Sequence, residues 1–147
     1  MWRARLREED LQLEAEKRIK FKGTARISLG CFHFSQDPPR DRDTRNIERL
    51  QAIFRKDCRR LDVHHHIPAV IEQQALDAAL LRSGVSARQL SGLASAEYPE
   101  LVFPAGYQLE CLHGQDRIQA AKELILGWWT VDLYLEGTYS LNEKVFD

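Results

Sequence analysis

The chain of 147 residues has few cysteines, a single methionine and no long apolar run. Its three cysteines are too few and too widely spaced for a disulfide framework or a four-ligand zinc site. No stretch approaches the roughly 20 consecutive apolar residues that cross a bilayer. The first residues lack the apolar segment of a secretory signal. We therefore predict an intracellular protein with free thiols and no membrane partner, in either the nucleus or the cytoplasm.

The composition is that of one folded domain, and its charge is unevenly placed. Hydrophobic residues make up 44% and charged residues 29%, close to the averages of soluble globular proteins. Residues 1–60 hold 16 Lys and Arg against 10 Asp and Glu, whereas residues 61–147 hold 5 against 12. This asymmetry has two interpretations: complementary faces of one fold, which the interleaved acids favour, or a basic surface at 17–60 that binds nucleic acid.

Hydrophobic periodicity predicts an alternation of strands and helices. Strands are predicted at 25–34, 66–71, 107–113 and 128–136, with a short extended piece at 101–103. Helices are predicted at 3–20, 44–57 and 72–82, from Ser86 onward, and at 115–126. Gly23 is expected to end the first helix, and a charged loop with two prolines is expected at 35–43. The pattern predicts an α/β (α+β) domain: a small mixed sheet of four to five strands with packed helices.

Three segments are predicted along the chain. Residues 1–24 are expected to form a helical leader, and residues 25–136 the main domain, with an insertion at about 72–106. Residues 137–147 resemble the start of a helix that is cut off, because Ser140 and Glu143 have the spacing of a capping box. We therefore expect the chain to be part of a longer protein. Its oligomeric state is left open.

One strand–turn–helix, around Gly114, has the pattern of an anion site. A tight glycine turn leaves the first N–H groups of the following helix pointing outward, where the helix dipole favours negative charge. Arg117 lies in the first turn and can bring two further donors to the same point. Alternatively, Gly114 is an ordinary turn glycine and Arg117 pairs with Glu110 or Asp116.

The same motif resembles the ParB/sulfiredoxin-like superfamily, in which a Gly-x-x-Arg turn cradles nucleotide phosphates. The resemblance is carried by Pro39 and Arg40, by 46–50 (NIERL), by 67–70 (IPAV) and by 112–121 (LHGQDRIQAA). It implies a nucleotide or other phosphate ligand, with Mg²⁺ if that ligand is a nucleoside triphosphate. The residues that it assigns to the nucleotide or phosphate are His113, Gly114, Gln115, Asp116, Arg117 and Arg40.

A narrower resemblance links residues 103–117 and 128–135 to a fungal family known only as a domain of unknown function. The turn departs from both patterns, because Gln115 and Asp116 replace Glu-Arg in ParB and Arg-His in the fungal family. A carboxylate beside a phosphate should weaken anion binding. The alternative is therefore a degenerate, non-catalytic protein-interaction or DNA-associated module. The turn also lacks the cysteine that sulfiredoxins use, so sulfinic-acid reduction is not expected.

No catalytic or metal-binding set is predicted. Adjacent histidines at 64–66 point alternately in an extended chain, and no carboxylate or cysteine stands at ligand spacing. No pair of carboxylates or activated nucleophile can be identified, so the sequence favours a binding domain over an enzyme. If it were an enzyme, the resemblance would imply a nucleotide-dependent phosphohydrolase or phosphotransferase. Arg42 and Arg45, beside Arg40, are further candidates for holding phosphate.

Overall fold

The computed structural model describes residues 19–35, 42–92 and 98–136. Its strands are β1 (Phe21–Ser28), β2 (Phe32–His33), β3 (Ile67–Ile71), β4 (Glu100–Leu101), β5 (Leu109–Cys111) and β6 (Trp128–Leu135). Its helices are α1 (Thr44–Lys56), α2 (Gln73–Ser83), α3 (Ala87–Leu90) and α4 (Gln115–Glu123), and short 3₁₀ turns occupy Leu29–Cys31 and Val63–His65. The predicted helices within the described residues and the strands predicted at 66–71, 107–113 and 128–136 are present, with ends that shift by a few residues. The strand predicted at 25–34 is wrong as one continuous strand, because the 3₁₀ turn Leu29–Cys31 divides it into β1 and β2.

The strands form one mixed sheet in the order β2-β5-β3-β6-β1-β4. β6 lies parallel to β3 and antiparallel to β1, while β5 is antiparallel to β3 and parallel to β2. The α/β (α+β) class is confirmed. The described residues contain six strands rather than four or five, because β2 and β4 have two residues each and are too short to show an alternating pattern.

The core is centred on one face of β6. Trp129, Val131 and Leu133 are completely buried there, as the alternation along this strand predicts. The ring of Phe54, on α1, lies 5.3 Å from the ring of Trp129. Ile118 of α4 is buried in the same cluster. This packing fixes α1 and α4 beside each other on the sheet, next to the turn at Gly114.

Gly23 does not end a helix, as the sequence predicted, but lies within β1. Its φ of 140° is a conformation that side chains rarely adopt, and a Cβ there would collide with the backbone carbonyl of Leu90. The glycine is therefore required by the close approach of α3, a long-range contact that the local pattern does not contain.

Several predictions lie outside the described residues. These are the leader as far as residue 18, the charged loop at 36–41 with Arg40, and the helix start at 137–147. The predicted insertion at about 72–106 contains α2, α3 and β4, and β4 lengthens the sheet by pairing with β1. Among the described helices, none has both the length and the apolar character needed to cross a membrane.

Candidate phosphate-binding site

The turn at Gly114 connects the sheet to α4 in a conformation that suits glycine. Gly114 has φ 97° and ψ 20°, and a Cβ at this position would collide with Cδ1 of the buried Ile67. The backbone N–H of Leu112 donates to the carbonyl of Pro68 at 2.9 Å, which fastens the turn to β3. The N–H of Ile118 donates to the carbonyl of Gly114 at 3.0 Å and closes the first turn of α4. The helix therefore starts directly beside the core.

The first turn of α4 presents backbone donors to any ligand at this end. The N–H groups of Gln115 and Arg117 precede the first intrahelical bond, so they have no acceptor inside the helix. The helix dipole adds partial positive charge at the same end. The side-chain Oε1 of Gln115 is buried, and no partner for it is found in the described part of the chain. His113 is exposed immediately before the turn.

The carboxylate of Asp116 is directed toward α1. The residue is only 8% exposed, and its Oδ2 accepts a hydrogen bond from Nδ2 of Asn46 at 2.7 Å. The Oδ1 of Asn46 in turn accepts from Nε and Nη2 of Arg49, at 3.1 and 2.8 Å. Asn46 therefore links the buried carboxylate of Asp116 to the guanidinium of Arg49 through hydrogen bonds.

Arg117 extends toward the 3₁₀ turn Val63–His65. Its Nη1 lies 3.5 Å from the backbone carbonyl of His65, a long and weak hydrogen bond. Within the described ranges no carboxylate forms an ion pair with Arg117, and Glu110, one of its two expected partners, accepts instead from Ser35 at 3.0 Å. Partial burial lowers the pKa of Arg117. The guanidinium is therefore half-desolvated and keeps donors for an anion.

The other loop arginines are distributed differently. Arg42 forms a two-bond ion pair with Glu123, at 2.8 and 2.9 Å, at the opposite end of α4 from Gly114. Arg42 is therefore not near the turn. Arg45 is exposed in the first turn of α1, and Arg40 lies outside the described residues.

Sequence reasoning missed a buried polar cluster on the sheet. Nδ1 of His66 lies 2.8 Å from Oδ1 of Asp132, and the hydroxyl of Thr24 donates to that same oxygen at 2.8 Å. Nε2 of His66 lies 3.2 Å from the carbonyl of Leu61. Burial opposes charge on the imidazole, but the hydrogen bond and charge of Asp132 outweigh it and raise the pKa of His66. The sequence did contain a signal for this cluster, because Asp132 is a polar residue between apolar neighbours in a predicted strand and Thr24 directly precedes another.

The cysteines and histidines form no metal centre in the part of the chain that the structure describes. No group of three or more His, Cys, Asp or Glu side chains is gathered there in a way that could hold an ion. The three cysteines are unpaired, and burial raises the pKa of Cys111 to about 12.

The fold and the turn thus define a mixed α/β domain in which a glycine turn after a strand begins a helix with a half-buried arginine in its first turn. The chain belongs to the family described as the N-terminal domain of the protein of unknown function DUF3723, whose model matches residues 20–146. No curated protein matches the chain.

Among solved structures, the chain is similar to the C-terminally truncated chromosome-partitioning protein ParB from Caulobacter crescentus, crystallised with CTP-gamma-S. The identity is 13% and the TM-score is 0.48, over 82% of this chain and 49% of that one. This chain therefore spans about half of the structure that it matches.

Proposed function

We propose that this domain binds a phosphate-bearing ligand, a nucleotide, at the turn formed by His113, Gly114, Gln115, Asp116 and Arg117. One observation carries the proposal: a glycine turn packed on Ile67 begins a helix whose first turn contains N–H donors without an intrahelical acceptor and also Arg117, which has no carboxylate partner in the described ranges. Such donors suit the oxygens of a phosphate. The resemblance to nucleotide-binding Gly-x-x-Arg turns supports the same class of ligand.

The remaining parts of the proposal follow from the resemblance. Arg40 would assist from the loop, and Mg²⁺ would accompany a triphosphate. The fungal origin belongs to the proposal in the same way, whereas the intracellular location is proposed from the few, widely spaced cysteines and the first residues of the sequence. No reaction is included, because no described pair of carboxylates or activated nucleophile stands at the turn.

A second candidate is a non-catalytic protein-interaction or DNA-associated module that no longer binds a nucleotide. The observation that favours it is Asp116, whose carboxylate lies in the first turn of α4, where it repels a phosphate. DNA association would use the basic surface at 17–60, and DNA binding of that kind weakens steeply with added salt.

Thermal unfolding of the full chain with each of the four ribonucleoside triphosphates and with pyrophosphate, with and without Mg²⁺, tests the proposal. A ligand at about one hundred times its dissociation constant adds about 2.7 kcal/mol, which raises Tm by several degrees for a domain of this size. Arg117→Ala should remove this shift, because it deletes the side-chain donors. Arg88→Ala, which removes an exposed arginine on α3, is the matched control and should keep the shift.

Two results would contradict the proposal. Equal shifts in Arg117→Ala and the wild type would place the ligand elsewhere. The absence of a shift with all probes would favour the second candidate, and a salt-dependent mobility shift with a DNA duplex would then separate its two forms.

A further inference from the structure

His66 is an ionisable side chain enclosed between the sheet and the segment that follows α1. Only 3% of the side chain is exposed, whereas that of its partner Asp132 is 23% exposed. The edge of its ring lies against Tyr98, with ring centroids 5.4 Å apart. A polar ring in such a place must satisfy both of its nitrogens within the protein.

Both ring nitrogens of His66 face groups that can only accept. Nδ1 meets the carboxylate of Asp132 at 2.8 Å, and Nε2 meets the backbone carbonyl of Leu61 at 3.2 Å. A neutral imidazole has one N–H, so it can satisfy only one of these acceptors. The protonated ring, with two N–H groups, fits both.

The titratable groups around His66 come from three sides. Asp132 stands on β6, and its Oδ1 is also bound by Thr24 of β1. Asp62 precedes the 3₁₀ turn and accepts the N–H of His64 at 3.0 Å. Tyr98 contacts the ring from the remaining side. Both carboxylates favour the charged imidazole, and only burial opposes it.

The residue next to His66 connects this cluster with the turn at Gly114. The carbonyl of His65 accepts the indole N–H of Trp129 at 2.8 Å and faces Nη1 of Arg117 at 3.5 Å. The imidazole of His66 therefore ties the two ends of the segment 61–66 together, through its contact with the carbonyl of Leu61. Within this segment, the carbonyl of His65 faces the guanidinium of Arg117.

We propose that His66 is a positioning residue for the phosphate site: its protonated ring anchors the segment 61–66, and this anchor sets where the His65 carbonyl faces the guanidinium of Arg117. The anchor stands on the hydrogen bonds alone, whereas its effect on a ligand rests on the proposed function. Loss of the proton frees either the Leu61 or the Asp132 contact and loosens the segment.

The direction with pH follows from the raised pKa of His66. The anchor is complete below the ordinary histidine pKa of about 6.5 and is lost as the pH rises through the higher value in the folded protein. Stability and the order of the segment should therefore both decline as the pH is raised above about 6.5.

NMR titration of the full chain tests the anchor without any ligand. We expect the His66 ring signals to titrate with a midpoint above 6.5, the ordinary value. The indole N–H signal of Trp129, which donates to the His65 carbonyl, should move with the same midpoint. A Trp129 signal that stays constant while His66 titrates would overturn the proposal, as would a His66 midpoint at or below 6.5.

Two substitutions and a control sharpen the test. Asp132→Asn keeps the shape but removes the charge that outweighs burial, so the common midpoint should fall. His66→Gln should abolish the pH-dependent movement of the Trp129 signal. His64→Gln, an exposed histidine in the same segment, should leave that movement unchanged. An unchanged midpoint in Asp132→Asn would contradict the anchor, and the wild-type titration remains decisive even if a variant does not fold.

Titration calorimetry with the triphosphate that gives the largest thermal shift tests the link to Arg117. We expect affinity to fall about fivefold between pH 6 and pH 8, at the low end of usual coupling between sites. The decrease in affinity between pH 6 and pH 8 should be smaller in His66→Gln than in His64→Gln. Comparing the two variants corrects for the titration of the triphosphate itself, because that titration affects both equally. Equal falls would overturn the link to the ligand. Absence of binding at both pH values would refute the proposed function, while the NMR titration would still decide the anchor.

Discussion

At the scale of single residues, Ile125 is held in a conformation that β-branched residues avoid. It follows α4 with φ 57°, in the left-handed region where glycine normally ends a helix. The residue is also 89% exposed, so its side chain makes few packing contacts that could offset the strain. The backbone N–H groups of Ile125 and Leu126 donate to the carbonyls of Lys122 and Ala121, which fixes this conformation at the end of the helix.

Replacing Ile125 by glycine should therefore stabilise the domain. The left-handed conformation costs a residue with a side chain roughly 1–2 kcal/mol, and glycine adopts it without this strain. Glycine loses more backbone entropy on folding, but this loss is smaller than the strain that is relieved. We expect Ile125→Gly to gain about 1 kcal/mol in urea unfolding, seen as a higher midpoint with an unchanged slope. Ile125→Val keeps the β-branched strain and should gain nothing. A lower midpoint for the glycine variant would show that the isoleucine side chain contributes packing.

The residues of the candidate site show how far sequence reasoning reaches at this scale. The glycine turn and the order of its neighbours could be predicted, because a strand, a glycine and a helix follow one another along the chain. The surroundings of Arg117 could not, since the carbonyl that it meets is that of His65, 52 positions away. Whether these residues bind phosphate stays a prediction.

At the scale of elements, a hydrogen bond between a partly buried asparagine and a buried aspartate joins α1 and α4. Asn46 donates to Asp116 at 2.7 Å, across the two helices. A hydrogen bond to a charged group contributes about 1.5–3 kcal/mol to stability. This pair therefore fixes the register between the helix that begins at the candidate site and its neighbour.

A double-mutant cycle with Asn46→Ala and Asp116→Asn measures this pair. We expect a coupling free energy of about 1 kcal/mol or more, within the usual range for residues in contact. The exposed pair Gln73–Asp77, at 2.8 Å on α2, is the matched control, and such surface pairs contribute about 0.2–0.5 kcal/mol. Equal couplings in the two cycles would mean that the buried pair adds no specificity to the helix contact.

The ends of helices could be predicted where a capping residue or a glycine determines them. α2 ends at Gly84 with φ 68°, and α3 begins with a capping box between Ser86 and Gln89, as their residue types predict. β2 was predicted only as the end of the strand at 25–34, and β4 only as a short extended piece at 101–103. Their pairing depends on neighbours far along the chain, and two residues show no period of their own.

At the scale of the whole molecule, the reactivity of the Cys111 thiol is a measure of how often the folded structure opens. It is buried in β5, and burial raises the pKa of its thiol to about 12, so almost no reactive thiolate is present in the folded state. Cys31 and Cys58 are only partly buried, and burial raises the pKa of each. Access to Cys111 therefore requires a large opening of the sheet.

Iodoacetamide labelling at pH 8, followed by mass spectrometry, should distinguish these thiols. We expect Cys31 and Cys58 to react first, and Cys111 to react at the rate allowed by unfolding. Ile125→Gly should then slow only the labelling of Cys111, because that variant stabilises the folded state. Labelling of Cys111 as fast as Cys31 would show that β5 opens locally.

The sequence by itself determined the longer strands and helices, the buried face of β6 and the position of the glycine turn. These depend on hydrophobic spacing and on turn residues, which act over a few neighbouring positions. Only the tertiary structure decided that Asn46 meets Asp116 and that His66 meets Asp132, because these partners lie 70 and 66 positions apart. Strand register and helix packing bring such groups together, and neither can be predicted from the local pattern of residues.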